Sequence, residues 1–151
     1  MKESKRFHVV QRVADDHEQH RAEKLAASER RVRECEAKLA ELEGYQASYA
    51  NEFARHAGRG IGGGRLRDFQ TFLVRLAEAV RQQGEIVVRS RAERDAARSQ
   101  WQRAAQRAEI VGRVVKTKQS EERRAVELEE QRDSDERAQR KPLRRLDAGG
   151  I

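Results

Sequence analysis

Apolar residues recur along the chain at alternating intervals of three and four positions, in two stretches separated by a glycine-rich segment. After the glycines the pattern begins at Leu66 and runs unbroken for seven heptads. A repeat of 3.5 residues places these side chains on one seam of a helix, where a facing helix buries them. This second ladder comprises Leu66, Phe69, Leu73, Leu76, Val80, Gln83, Val87, Ser90, Arg94, Ala97, Trp101, Ala104, Ala108, Val111 and Val115.

Before the glycines lies a first ladder with the same spacing. It comprises Leu25, Ser28, Val32, Cys35, Leu39, Leu42, Gln46, Tyr49 and Phe53. Upstream of it an apolar stripe continues, formed by Phe7, Val10, Val13 and Ala14, but the spacing slips around Arg21. Such a slip predicts a stutter, which locally changes the supercoil.

The glycine-rich segment predicts a bend between two helices. Residues 57–64 read AGRGIGGG and hold five of the ten glycines of the chain. Glycine reaches backbone conformations that are closed to other residues, and it ends helices readily. A bend centred near residue 61 would bring Phe53 opposite Phe69 and Leu42 opposite Val80. We therefore predict an all-α fold, a long antiparallel two-helix coiled-coil hairpin whose second helix is longer than the first.

The expected boundaries follow from the glycines and the single proline. We predict one coiled-coil domain over residues 1–151, with a first helix over 1–56, a bend over 57–65 and a second helix over 66–141. Pro142 lacks a backbone N–H and crowds the preceding turn, so we expect the second helix to stop before it. Residues 142–151 would then form a tail.

Composition narrows the classes of function. Charged residues make up 39% of the chain and aromatic residues 5%, a profile typical of long helices. The net charge of +7 is concentrated in residues 55–113, which hold 13 basic and 6 acidic side chains. Interleaved charges of this kind usually form a solvated helix face, and an acidic protein partner or nucleic acid is the alternative. Aromatic residues do not alternate with basic ones as a base-stacking surface requires, so we expect no specific nucleic-acid binding.

The motifs that would carry chemistry are absent or out of context. Gly58, Gly60 and Gly63 satisfy G-x-G-x-x-G, but that motif needs a preceding strand, and here it joins two helices. His17 and His20 could share a helix face, yet no further cluster of metal ligands accompanies them. We expect no enzyme activity, no cofactor and no metal site. No run approaches the ~20 apolar residues that cross a bilayer, so we expect no membrane insertion and a cytoplasmic location.

Near the bend the apolar surface is wider than a two-helix seam requires. Tyr45 lies beside the first ladder, and Phe72, Ala79 and Ile86 form a stripe beside the second. A locally thicker core is one interpretation, and a partner-binding patch is the other, since two helices cannot hide so wide a face. If Phe72 is a docking residue, its ring should be largely exposed, and Phe72→Ala should leave melting almost unchanged.

Several segments together resemble the FliJ family of flagellar export proteins, over about residues 7–140. They are Phe7-x-x-Val10-x-x-Val13-Ala14, then Leu42, Tyr45 and Tyr49, then FQTFLVRLAEAV (69–80), Trp101 with Ala104, and EEQRDSDERA (129–138). No single motif is specific, but the length, the order, the position of the bend and the basic charge are specific together. Sister proteins of injection-type secretion systems share this plan, so that alternative stays open here.

The resemblance implies a nonenzymatic stalk and coupling protein of a type III export apparatus. Proteins of this family insert into the export ATPase hexamer, bind export chaperones, and link the ATPase to the cytoplasmic domain of the export gate. They lie in the cytoplasm, peripherally associated with the inner membrane. The other interpretations are a generic coiled-coil scaffold that dimerises through the same patch, and a basic rod associated with nucleic acid.

The resemblance also implies a gate-binding patch near the bend. Carried over position by position, it comprises Leu42, Tyr45, Tyr49, Phe72, Leu76, Ala79 and Gln83. The rim of the patch departs from the family at two positions. Gln83 stands where the family tends to have histidine, and the neighbouring Lys38 stands where it tends to have glutamine.

Overall fold

A computed structural model describes the backbone of residues 2–60 and 62–148, and the side chains of residues 3–60 and 62–140. Helix α1 spans Lys2–Gly58 (57 residues) and helix α2 spans Gly63–Ala148 (86 residues). These residues contain no strand, and the two helices pack against each other. The predicted all-α fold, an antiparallel two-helix coiled coil with a longer second helix, is confirmed.

The chain divides into two compact units. Unit 1 combines Met1–Glu18 with Ala104–Ile151, and unit 2 is Gln19–Arg103. In each unit a stretch of α1 packs antiparallel against a stretch of α2. That the whole chain acts as one domain stays a prediction.

The seam of unit 2 follows both ladders closely. Val32, Cys35, Val87 and Ser90 are its most buried side chains, at 2–8% exposure. Every ladder position in this unit is buried or half-buried except Tyr49, which is 36% exposed. The Ser90 hydroxyl donates a hydrogen bond to the Val87 carbonyl of its own helix at 2.8 Å, so its burial leaves no polar atom unsatisfied.

The predicted pairing across the seam is also observed. The Phe53 and Phe69 rings stack with centroids 5.4 Å apart and an interplanar angle of 22°. Further along the unit, the Arg21 guanidinium donates to the Gln100 side-chain oxygen at 2.7 Å. Both pairs fit a bend centred near residue 61, so the register inferred from the ladders holds along unit 2.

The predicted stutter near Arg21 is wrong. The buried and half-buried positions of α1 keep their alternating spacing of three and four residues through this stretch. Gln11, Glu18 and Arg21 occupy the seam there and are half-buried. Val10 and Val13, which we expected in the stripe, are 49% and 63% exposed. Long polar side chains can cover a seam with their methylene groups while their heads reach solvent. A pattern read from apolar residues alone therefore misses these seam positions.

In unit 1 the seam is narrow and built from small residues. Ser4, Ala14, Ala104 and Val115 are buried, at 2–8% exposure. At this end of the seam the contacts are polar: Gln119 Nε2 lies 2.7 Å from the ring nitrogen Nε2 of His8. Beyond this point, residues 123–140 of α2 are all exposed.

The link between the helices is shorter than the predicted bend over 57–65. Helix α1 continues to Gly58 and α2 begins at Gly63, so only four residues separate them, of which Ile61 lies outside the described residues. The Arg59 amide donates to the His56 carbonyl at 3.1 Å, which closes the last turn of α1. Gly60 has φ of +76°. This left-handed conformation disfavours residues with a Cβ, so the turn requires glycine at this position.

The predicted stop before Pro142 is also wrong, because α2 continues to Ala148. A proline inside a helix removes one backbone hydrogen bond and crowds the carbonyl four residues earlier, at a cost of about 3 kcal/mol, and α2 continues through it. The residues that follow, LRRL at 143–146, are strong helix formers. Of the predicted tail, residues 149–151 lie outside the described residues.

Candidate partner-binding surface

All seven residues of the predicted patch lie in unit 2, close to the link. Tyr45, Tyr49 and Phe72 are 48%, 36% and 43% exposed. The other four side chains are half-buried: Leu42, Leu76, Ala79 and Gln83. We call this set the candidate patch. Its members divide into an exposed aromatic group and a group that belongs to the seam or its margin.

Heptad position accounts for the exposure of Tyr45 and Phe72, whereas Tyr49 is exposed at a seam position. Tyr45, Phe72 and Ala79 each come one residue before a seam position, so they flank the seam instead of filling it. An ion pair between Arg31 Nε and Glu93 Oε2 at 3.8 Å joins two residues of this same kind across the helices. The flanking positions of α1 and α2 therefore meet along one edge of unit 2. We call this the aromatic edge, because Tyr45 and Phe72 lie on it.

The opposite edge is polar. There Arg91 donates to the Glu36 carboxylate at 2.8 Å and 3.0 Å, and each of these residues comes one position after a seam residue. Gly84 lies on the same edge. The two edges of unit 2 therefore differ in chemistry, and only the aromatic edge exposes large rings.

The exposed rings are held in an aromatic cluster that reaches the seam. Tyr49 and Phe72 meet edge to face with centroids 5.0 Å apart, and both lie 6.5 Å from Phe69. Such pairs contribute about 0.5–1.5 kcal/mol each beyond the area they bury. The expectation of a largely exposed Phe72 ring is therefore met only in part: one side faces solvent, and the other packs on its neighbours.

Tyr45 stands apart from the cluster. Its hydroxyl donates to Glu41 Oε1 at 3.1 Å, and Lys38 Nζ lies 3.9 Å from the other carboxylate oxygen. The hydrogen bond to Glu41, together with the negative charge of that carboxylate, raises the pKa of Tyr45. The phenol presents a neutral ring to solvent at neutral pH, and the raised pKa extends this neutral form to more alkaline pH. Lys38, one of the departures from the family pattern, supports this arrangement through Glu41.

Gln83, the other departure, faces inward. Its side-chain Nε2 donates to the Cys35 carbonyl across the seam at 3.0 Å. The amide thus satisfies a backbone group of the facing helix. Within the candidate patch the structure joins Tyr49 and Phe72 in a ring contact, and it places Gln83 inside the seam.

Sequence reasoning missed a groove beside the cluster. His56, Arg65, Asp68, Phe69 and Phe72 line a depression of about 430 Å³. Of these residues only Phe72 belongs to the candidate patch, and only Arg65 falls in the stretch 57–65 that the sequence assigned to a bend. In the sequence, the one sign of this groove is the uncompensated positive charge around the glycines. The groove itself forms only when folding brings α1 and α2 together.

Other classes of site have little support. No group of His, Cys, Asp and Glu that could hold a metal ion occurs in the described part of the chain, which includes His17 and His20. Within that same part, neither helix contains a segment long and apolar enough to cross a membrane.

A comparison with protein families identifies the chain. The family model described as "Flagellar FliJ protein" matches residues 3–147. No curated protein matches, and no solved structure matches. The family match spans nearly all of the chain, including both helices, the link and the candidate patch. The chain therefore belongs to the FliJ family of flagellar export proteins.

Proposed function

We propose that this protein is the nonenzymatic stalk and coupling component of the flagellar type III export apparatus. In this proposal the C-terminal part of α2 and the N-terminal part of α1 insert into the export ATPase hexamer. The candidate patch binds the cytoplasmic domain of the export gate, and export chaperones bind the same protein. Peripheral association with the inner membrane would follow from the gate contact. Family membership supports the role in export, and the distribution of exposed side chains supports the separate docking surfaces.

The observation that carries the gate contact is the exposed aromatic group on one edge of unit 2. Tyr49 and Phe72 meet edge to face, and Tyr45 exposes a third ring on the aromatic edge. Aromatic side chains near the centre of an interface often supply most of its binding energy. Other exposed apolar residues of the unit, such as Val74 and Val88, are aliphatic and lie off the aromatic edge. The aromatic edge is therefore the surface of unit 2 best suited to a protein partner.

The far part of α2 supports the ATPase contact. Residues 123–140 are exposed throughout, and they are mostly charged. At ~1.5 Å per residue these 18 residues form roughly 27 Å of helix. Val126 and Leu128 are 49% and 56% exposed on this stretch. An unpaired helix of this length can contact a surrounding ring, and its charge limits nonspecific adhesion.

The gate contact can be tested with Tyr45→Ala. Truncation of Tyr45 removes a ring that is 48% exposed and whose hydroxyl donates to Glu41 on its own helix. We expect affinity for the gate cytoplasmic domain, measured by calorimetric titration, to fall at least ~10-fold, as for a central aromatic anchor. Stimulation of the export ATPase should be unchanged.

Val88→Ala is the matched control, because Val88 is 66% exposed in the same unit and lies off the aromatic edge. Equal gate affinities for the two variants would contradict the proposed contact. Sedimentation tests the scaffold alternative, since a stalk should be monomeric and a dimerising scaffold should not.

A further inference from the structure

Ion pairs to acidic side chains are recorded for some arginines of the described chain, and the arginines around the link are not among them. Arg81 pairs with Glu78 and Glu85, and Arg113 pairs with Glu109. Around the link no ion pair is recorded for the arginines within the described residues. These link arginines, all exposed, are Arg55, Arg59, Arg65 and Arg67.

The charge around the link is uncompensated in the sequence as well. Residues 54–67 contain the four link arginines and no Asp or Glu, which gives a formal charge of +4 with His56 neutral. The chain as a whole carries +7. More than half of the net charge is therefore concentrated in 14 residues at one end of unit 2.

Helix stability does not account for this charge. Arg55 and His56 lie in the last turn of α1, where cations interact favourably with the helix dipole. Arg65 and Arg67 lie close to the start of α2, whose first turn holds no acidic residue. Cations in the first turn of a helix oppose the helix dipole, and the effect falls off beyond that turn. Arg65, which lies in the first turn of α2, is therefore unfavourable for the helix that carries it.

The groove beside the link combines this charge with an apolar wall. Phe69 and Phe72 form one side, and His56 and Arg65 lie at the end nearest the link. Asp68 is the single acidic residue that lines it. An apolar side chain would fit against the rings, and a carboxylate beside it would reach the arginine, whose planar guanidinium suits bidentate binding.

We propose that this groove, together with the link arginines, binds an acidic segment of a partner protein in which an apolar side chain adjoins carboxylates. Charge complementarity and the aromatic wall favour this occupant. A lipid surface is disfavoured because no large apolar side chain is exposed among the described residues of 54–68. The groove is continuous with the candidate patch through Phe72. The inference rests on the proposed function only for the identity of the protein that carries the segment.

Two short peptides serve as probes, titrated into the full chain and followed by NMR signals of His56 and Phe72. One has the sequence Ser-Glu-Leu-Glu-Glu-Ser, and the other replaces its leucine with serine. We expect the leucine peptide to shift both signals and the serine peptide to bind at least ~3-fold more weakly. Raising the salt concentration should weaken both, since exposed charges are screened.

The double variant R59Q/R65Q should weaken binding of the leucine peptide at least ~5-fold. R30Q/R33Q is the matched control, because Arg30 and Arg33 are exposed in unit 2, have no recorded ion pair, and carry the same total charge. Equal weakening by the two double variants would show a general charge effect and overturn the site. Equal binding of the two peptides would overturn the apolar subsite. Binding of phosphatidylglycerol vesicles or duplex DNA without binding of the leucine peptide would overturn the choice of occupant.

The gate domain separates this inference from the proposed function. The gate contact stands if wild type binds that domain and Tyr45→Ala does not. The groove proposal fails if R59Q/R65Q then binds the domain normally and also keeps its affinity for the leucine peptide. If wild type does not bind the gate domain, the proposed gate contact fails, and the peptide titration still decides the groove.

Discussion

Truncation of Phe72 measures how much its ring on the aromatic edge contributes to the free energy of unfolding, and how much of the ring remains available to a partner. Phe72→Ala removes a ring that is 43% exposed, so somewhat more than half of its surface is covered by the protein. A fully buried Phe→Ala substitution costs about 3–5 kcal/mol. In proportion to the covered fraction, we expect a loss of about 2 kcal/mol, because the edge-to-face contact with Tyr49 at 5.0 Å disappears as well.

The assay is urea denaturation of wild type, Phe72→Ala and Val88→Ala, followed by circular dichroism. Val88 is 66% exposed, and its truncation should change the free energy of unfolding by less than ~0.5 kcal/mol. A Phe72→Ala curve that coincides with the control would show that the ring makes no stabilising contact. A loss above ~4 kcal/mol would show that it is a core residue and would remove it from the docking surface.

Four further outcomes follow from single positions. Gly60→Ala should destabilise the protein by about 1 kcal/mol in the same assay, because Gly60 has φ of +76°; no loss would contradict that conformation. Gly84→Ala should stabilise it by about 0.5–1 kcal/mol, because the added Cβ meets nothing within 4 Å inside α2; a loss would indicate a close contact. Val87→Ala should cost about 1.5–3 kcal/mol, since Val87 is 2% exposed; a neutral effect would argue against the seam. Glu41→Gln should lower the pKa of Tyr45, measured by phenolate absorbance, and an unchanged pKa would contradict their hydrogen bond.

The sign of the pH effect follows from that raised pKa. The hydrogen bond from Tyr45 to Glu41 requires a protonated phenol, so its contribution is complete below the ordinary tyrosine pKa. It is lost as the pH rises through the raised pKa of the folded state.

The fold was predictable where apolar spacing alone defines the seam. In unit 2 the two ladders and the glycines were sufficient to place Phe53 against Phe69. In α1 the seam passes through Gln11 and Arg21, whose methylene groups cover it, and hydrophobicity gives no signal for such positions. The end of α2 was missed because Pro142 was expected to stop the helix, whereas α2 continues to Ala148.

The candidate site was predictable only in part. Resemblance to the family supplied the residues of the candidate patch, and heptad position explains why Tyr45 and Phe72 flank the seam. Spacing did not predict that Gln83 would donate to the Cys35 carbonyl, since a seam position permits several side-chain directions. The groove beside Phe69 combines side chains from both helices, and their proximity exists only after folding.

The central claim is that separate surfaces of one chain contact the export ATPase and the export gate. Site-specific photocrosslinking in the presence of both partners tests it most directly, with the crosslinker placed in turn at Tyr45, Val126 and Val88. The account predicts that position 45 crosslinks to the gate cytoplasmic domain, position 126 to the ATPase, and position 88 to neither. Crosslinking of position 45 to a second copy of this chain, or equal crosslinking of positions 45 and 88 to the gate domain, would contradict it.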